Sequence, residues 1–226
     1  MNKIVRNKMK HFLHIFESPK PIDLLGGVSE AGALSSTLEQ HSIEHDLSIV
    51  VDRNCLKEWV AQIVDQIQEE DYRPILHFSC HGSEKGINLT SQENLSWDEL
   101  RNCLEPIIEA TDQNILLCFS SCFGRAAHNM HSKLEGEFEY IVGPVDEIDW
   151  DAALVAYSSF YHNFITRACE FSKSIAYMNA AIGVDELAFS GISAAQISAI
   201  KLDSYTSVIK EKVEKLAKTT EDAYQE

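Results

Sequence analysis

The segment NILLCFSSC (114–122) is nearly all apolar or small. A strand with one wet face alternates apolar and polar residues, whereas a strand covered on both faces does not. This stretch therefore reads as a central strand of a parallel sheet. Outward from it, PILHFSC (74–80), DLSIVVD (46–52), HFLHIF (11–16) and YIVGPV (140–145) read as its companions. Helical periodicity fills the gaps. One helix runs from Ser29 to about His41, after a Gly26-Gly27 turn. A second spans 55–70, with Asn54 as its cap and Leu56, Val60, Ile63, Val64 and Ile67 at helical spacing. A Ser96/Glu99 capping box opens a third, which ends near Ala110. SEKGINLTSQ (83–92) reads as a turn with a short surface strand; a helix is expected after Gly124, and a largely helical stretch over 149–190. Strand–helix alternation of this kind predicts an α/β domain: three layers, α/β/α, around a mostly parallel central sheet. That domain is expected over residues 1–190, with 191–226 as a C-terminal helical extension packed on it or fraying from it.

The charge narrows the partners. Of the net −16, residues 11–200 carry −19 while residues 1–10 carry +4. A body this acidic repels phosphate backbones, so nucleic acid is not expected as a partner. It favours a basic peptide, though acidity also serves plain solubility. No run approaches the roughly 20 apolar residues of a membrane span. The basic start leads into HFLHIFESP, too short and polar for a secretory segment, so a cytoplasmic protein with no membrane partner is expected. Six cysteines (55, 80, 103, 118, 122, 169) with no CxxC pair are then expected to be reduced.

In an open parallel sheet, ligands bind beyond the carboxyl ends of the strands. Two of those ends carry chemistry: Ser79-Cys80-His81-Gly82 and Ser120-Ser121-Cys122-Phe123-Gly124. A His and a Cys at neighbouring strand ends form the arrangement a thiol nucleophile and its base require. Helix amides after Cys122 are expected to add to the imidazole in favouring thiolate. Gly82, lacking a side chain, lets its N–H approach a substrate carbonyl and form an oxyanion hole with the N–H of Cys122. Ser79, Ser120 and Ser121 are small enough to leave an open cleft, and Ser120 and Ser121 are expected to wall it for substrate. The loop after the fifth strand holds Asp146, Glu147, Asp149 and Asp151. Asp146 is a candidate for a cationic substrate side chain, and Asp149 for a helix cap. Cys80, one residue from His81, should face the other side of the sheet.

Other groupings are weaker. His77, Cys80, His81, Cys118, Cys122 and His128 can be drawn as a zinc site, but strand residues four apart do not converge tetrahedrally without a bend. No metal and no cofactor is expected. His128 and His131 share a helical face that solvation explains, and Tyr157, Phe160, Tyr161 and Phe164 repeat at core spacing. ESPKPIDLLGG offers a nucleotide no phosphate-binding loop.

The pair ILHFSCHGSEKGINL (75–89) and ILLCFSSCFG (115–124) resembles the caspase-like cysteine peptidases, especially the bacterial branch with CHAT-type domains. YIVGPVDEIDWDAALVAYSSFYHNFI (140–165) resembles that family's next strand and helix. The resemblance implies His81 as general base, Cys122 as nucleophile, and the N–H groups of Gly82 and Cys122 as oxyanion donors. It also implies a Cys-His dyad that needs no third acid. It further implies a cysteine endopeptidase acting on a protein or peptide, an effector role in prokaryotic signalling or anti-phage defence, and a sensor or regulatory partner. The alternative is a catalytically silent interaction module that keeps the fold. Ser120 and Ser121 stand where caspases and metacaspases place Gln or an acid, and no Arg lies in 126–166, so neither Asp nor Arg specificity transfers.

Overall fold

A computed structural model describes residues 10–70, 72–112, 114–130, 138–183, 188–200 and 202. In chain order the elements are β1 (Lys10–Ser18), α1 (Pro21–Gly26), α2 (Glu30–Gln40), β2 (His45–Ile49), α3 (Arg53–Glu69), β3 (Tyr72–Ser83), β4 (Gly86–Asn88), β5 (Asn94–Ser96), α4 (Trp97–Ala110), β6 (Leu116–Phe119), β7 (Tyr140–Pro144), α5 (Trp150–Tyr161), α6 (Phe171–Ala181) and β8 (Phe189–Ser193). The sheet runs β2-β1-β3-β6-β7-β8. All its pairings are parallel except β7 with β8. β3 outruns its neighbours, and its last three residues pair antiparallel with β4, which pairs with β5.

Near-continuous apolar strands dictate a cover on each face. On one side Phe16, Leu76, Phe78, Leu117 and Phe119 pack against Leu56, Val60 and Ile63 of α3 and Leu100, Leu104 and Ile107 of α4. On the other, Leu13, Ile15, Ile75, Leu116 and Val142 pack against α2, α5 and α6 through Leu34, Leu38, Tyr157, Phe160 and Met178. This is the expected three-layer α/β/α fold with a mostly parallel sheet.

Several local expectations are corrected. Asp52, not Asn54, caps α3: its Oδ1 accepts from the Cys55 amide at 2.8 Å, so the helix starts earlier. The turn before Gly26-Gly27 is itself a short helix, α1, with Pro21 at its start and Gly27 at φ +66 closing it. The element after Gly124 is a seven-residue 3-10 helix, Gly124–Met130. The helical stretch over 149–190 gives way to a strand at Phe189, and β8 straddles the boundary expected at 190. Gly191 permits this, because a Cβ there would lie 2.5 Å from the Phe171 ring. Residues 194–200 are helical; most of the expected tail helix, and His131, lie outside the described residues. No described helix is long and apolar enough to cross a membrane.

Candidate active site

β3 and β6 are parallel neighbours, with Ile75 opposite Leu116 and Phe78 opposite Phe119. That register offset of 41 residues is the offset between His81 and Cys122. Neither residue simply ends its strand. His81 lies on the extension of β3, opposite Asn88 of β4. Cys122 lies in a tight turn past β6, closed by the Gly124 N–H donating to the Ser121 carbonyl at 3.0 Å. Phe123 takes φ +58 there, a left-handed conformation that costs a non-glycine residue about 1–2 kcal/mol. The Phe123 N–H donates to the Asp146 carbonyl at 3.0 Å, which fixes the turn to the loop after β7. The expected contribution of helix amides to Cys122 falls away. The 3-10 helix is short, and the amides of Phe123 and Gly124 are already committed. The Cys122 N–H has no acceptor among the described residues.

His81 and Cys122 line one cavity of about 320 Å³ with Asp23, Val28, Cys80, Ile148, Asp149 and Trp150. Cys122 Sγ lies 3.8 Å from the Ile148 carbonyl oxygen. His81 is held on two sides: its Nε2 is 3.1 Å from Asp23 Oδ2, and its ring lies 5.2 Å from that of Trp150. Asp23 is fixed in turn by the start of α1, where Oδ2 accepts the Lys20 amide at 3.0 Å. With Nε2–H given to a carboxylate, Nδ1 is the ring nitrogen left to accept a proton.

Beneath the cavity lies a buried polar cluster. Glu30, 4% exposed, accepts from Ser79 Oγ at 2.5 Å and from Ser120 Oγ at 3.0 Å, both at Oε2. His77 Nε2 is 3.1 Å from Ser120 Oγ, and its Nδ1 is 2.8 Å from the Tyr161 hydroxyl. Burial opposes ionisation of Glu30. The His77 imidazole and the two hydroxyls outweigh it and hold the carboxyl below its ordinary value.

The other expected site residues fall as follows. Gly82 abuts the Cys122 turn: a Cβ on it would lie 2.8 Å from the Cys122 carbonyl oxygen. Ser120 and Ser121 are each 1% exposed and do not line the cavity, so they are not its wall. Ser120 is turned to Glu30, and Ser121 Oγ is buried without a hydrogen-bond partner among the described residues. Asp146 is exposed, outside the cavity lining, and its Oδ1 accepts the Glu147 amide. Asp149 does line the cavity; it precedes α5 at the cap position but makes no side-chain cap bond. Cys80 is buried in the α3/α4 core, yet touches the cavity floor. Its thiol is pushed up by burial, and that of Cys118 up to about 12. Sequence reasoning missed Asp23, Trp150 and Glu30. For Asp23 one signal was present, an acid three residues after Lys20 with Pro between, which is a helix-start pattern.

A solved structure of similar fold is the X-ray structure of a secreted C11 cysteine protease from Bacteroides thetaiotaomicron, "iotapain". The TM-score is 0.54 at 8% sequence identity, covering 84% of this chain and 68% of that one. The fold is shared with a cysteine protease. No family model matches the sequence, and no curated protein matches it.

Proposed function

We propose that this chain is a cysteine peptidase whose nucleophile is Cys122 and whose general base is His81. The observation that carries the proposal is the convergence of these two residues, from neighbouring parallel strands, on one cavity. Cys122 Sγ attacks the carbonyl carbon of a peptide bond, and its proton passes to His81 Nδ1. The oxyanion is held by the N–H groups of Cys122 and Gly82. His81 then gives the proton to the leaving amine as the C–N bond breaks, leaving a thioester. Water, deprotonated by His81, hydrolyses the thioester and restores the thiol. Asp23 holds the imidazole in the Nε2–H tautomer, which makes the machinery a Cys-His pair with an orienting acid. Asp149, rather than Asp146, is the acid available to a cationic side chain in the cavity. The substrate is a protein or peptide. The resemblance to CHAT-type peptidases supports an effector role in prokaryotic signalling or defence, with a sensor protein as partner.

The test is cleavage of a peptide library varied at P1, with mapping of the residue labelled by an electrophilic acyl probe. Wild type should cleave and be labelled at Cys122, and Cys122→Ala and His81→Ala should abolish turnover while leaving the fold intact. Cleavage surviving in Cys122→Ala overturns the proposal. Absence of both cleavage and Cys122 labelling establishes the silent interaction module instead. Preference for Asp or Glu at P1 removes the role given to Asp149.

A further inference from the structure

Ser79 stands two residues before His81, and Ser120 two residues before Cys122. They share the 41-residue offset of the β3/β6 pairing and stand one residue beyond its last rung, Phe78 opposite Phe119, where the Ser120 N–H still donates to the Phe78 carbonyl at 3.0 Å. Both hydroxyls donate to one atom, Glu30 Oε2, at 2.5 and 3.0 Å. Because Ser120 spends its proton on Glu30, it accepts from His77 Nε2–H at 3.1 Å. His77 Nε2 also lies 4.0 Å from Glu30 Oε2, with Tyr161 on its far nitrogen.

A buried carboxylate beside an imidazole is poor stabilisation; apolar residues of the same volume often do as well or better. What it supplies instead is a directional, charge-assisted bond to each strand. We propose that Glu30 is a positioning residue, a clamp from α2 that sets the distance between the strand ends bearing His81 and Cys122. The assignment rests on the peptidase reading of that pair. Above the clamp β3 turns to pair with β4 and β6 enters the Cys122 turn; among the described residues no further ladder bonds join them, and the segments meet only where Gly82 packs on the turn. Glu30, Ser79 and Ser120 touch no substrate. They act through the spacing of the two groups that do.

A clamp makes a prediction that a set of independent core contacts does not. Breaking either arm releases the strand ends, so breaking the second adds little. The experiment compares wild type, Ser79→Ala, Ser120→Ala and the double variant, each below its own melting temperature. It measures kcat and KM on the best library peptide, and the rate at which iodoacetamide modifies Cys122, with Cys55 and Cys169 as references in the same molecule. Each single variant should lose roughly tenfold or more in kcat with KM little changed, since about 1 Å of misplacement costs about 100-fold. Cys122 alkylation should slow relative to Cys55 and Cys169, and the double variant should match the worse single one. Ser79→Thr, which keeps a hydroxyl, should recover much of the loss. Losses that multiply in the double variant, or folded variants with wild-type kcat and Cys122 reactivity, overturn the clamp. Alkylation needs no substrate, so the clamp is tested even where no peptide is cleaved. Failure of the peptidase reading shows in wild type, and failure of the clamp only in the serine variants.

Discussion

Gly82→Ala isolates the contact between the strand end bearing His81 and the turn bearing Cys122. A Cβ at position 82 would lie 2.8 Å from the Cys122 carbonyl oxygen, 2.8 Å from Ser121 Cβ and 2.9 Å from Ser121 Oγ. Carbon contacts are comfortable near ~3.5 Å, so the two segments must part by about 0.7 Å. No flexible chain end can absorb the shift, because two of the three atoms belong to the turn's own framework. Overpacking of this kind costs roughly 1–3 kcal/mol of stability. For a chain of this length that lowers Tm by about 2–12 °C. Under the proposed mechanism activity should fall much further, by roughly 100-fold in kcat, because parting the segments moves His81 and the Gly82 N–H together away from Cys122 Sγ. Peptide turnover and thermal melting on the same preparation provide the assay. Turnover near wild type with an unchanged Tm would show that Gly82 does not face the reacting groups. A large Tm loss with turnover intact would leave Gly82 a packing residue only.

Other perturbations should give distinct results. Asp23→Asn should lower kcat by at least about tenfold with KM little changed, since the neutral amide weakens the charge-assisted bond that orients His81; a pure KM effect refutes the role. Cys80→Ala should retain most activity, and in native protein iodoacetamide should leave Cys80 and Cys118 unmodified, because burial raises both thiols. Peptide mapping by mass reads both. His14, buried against Tyr72, is lowered by burial from 6.5 to about 4. Its folded state resists protonation, so its contribution is complete above pH 6.5 and is lost as pH falls toward 4. The full loss is on the order of 3 kcal/mol. Urea unfolding at pH 7 and pH 4.5 should show a smaller acid loss in His14→Gln than in wild type, and equal losses refute the assignment.

What the sequence made legible was whatever repeats along the chain. The apolar runs at 74–80 and 114–122 announced doubly covered strands, and their ends placed His81 and Cys122 at one rim. Short elements with weak period were misread. FSGIS (189–193) carries only two large apolar residues, and its strand depends on Gly191 accepting the Phe171 ring. PIDLLG buries none of its residues, so no amphipathic stripe marked it as a helix.

The residues missed at the site share a different property: each acts across the chain on a partner that no local pattern names. Asp23 reaches His81 from 58 positions away, and Glu30 reaches Ser79 and Ser120 from 49 and 90. The serines show why composition misled. Small residues before a nucleophile suggest an open wall, because smallness is what a sequence displays. Whether a hydroxyl faces the cleft or the core depends on what stands opposite, and here that is a carboxylate from α2. Strand parity held the answer in part. Ser79 and His77 are separated by two, as are Ser120 and Cys118, so both serines share the face of His77 and Cys118, which lies under α2 and α5. Small polar residues on a covered face need partners there. A helix-start Glu placed to cover that face would have been the residue to look for.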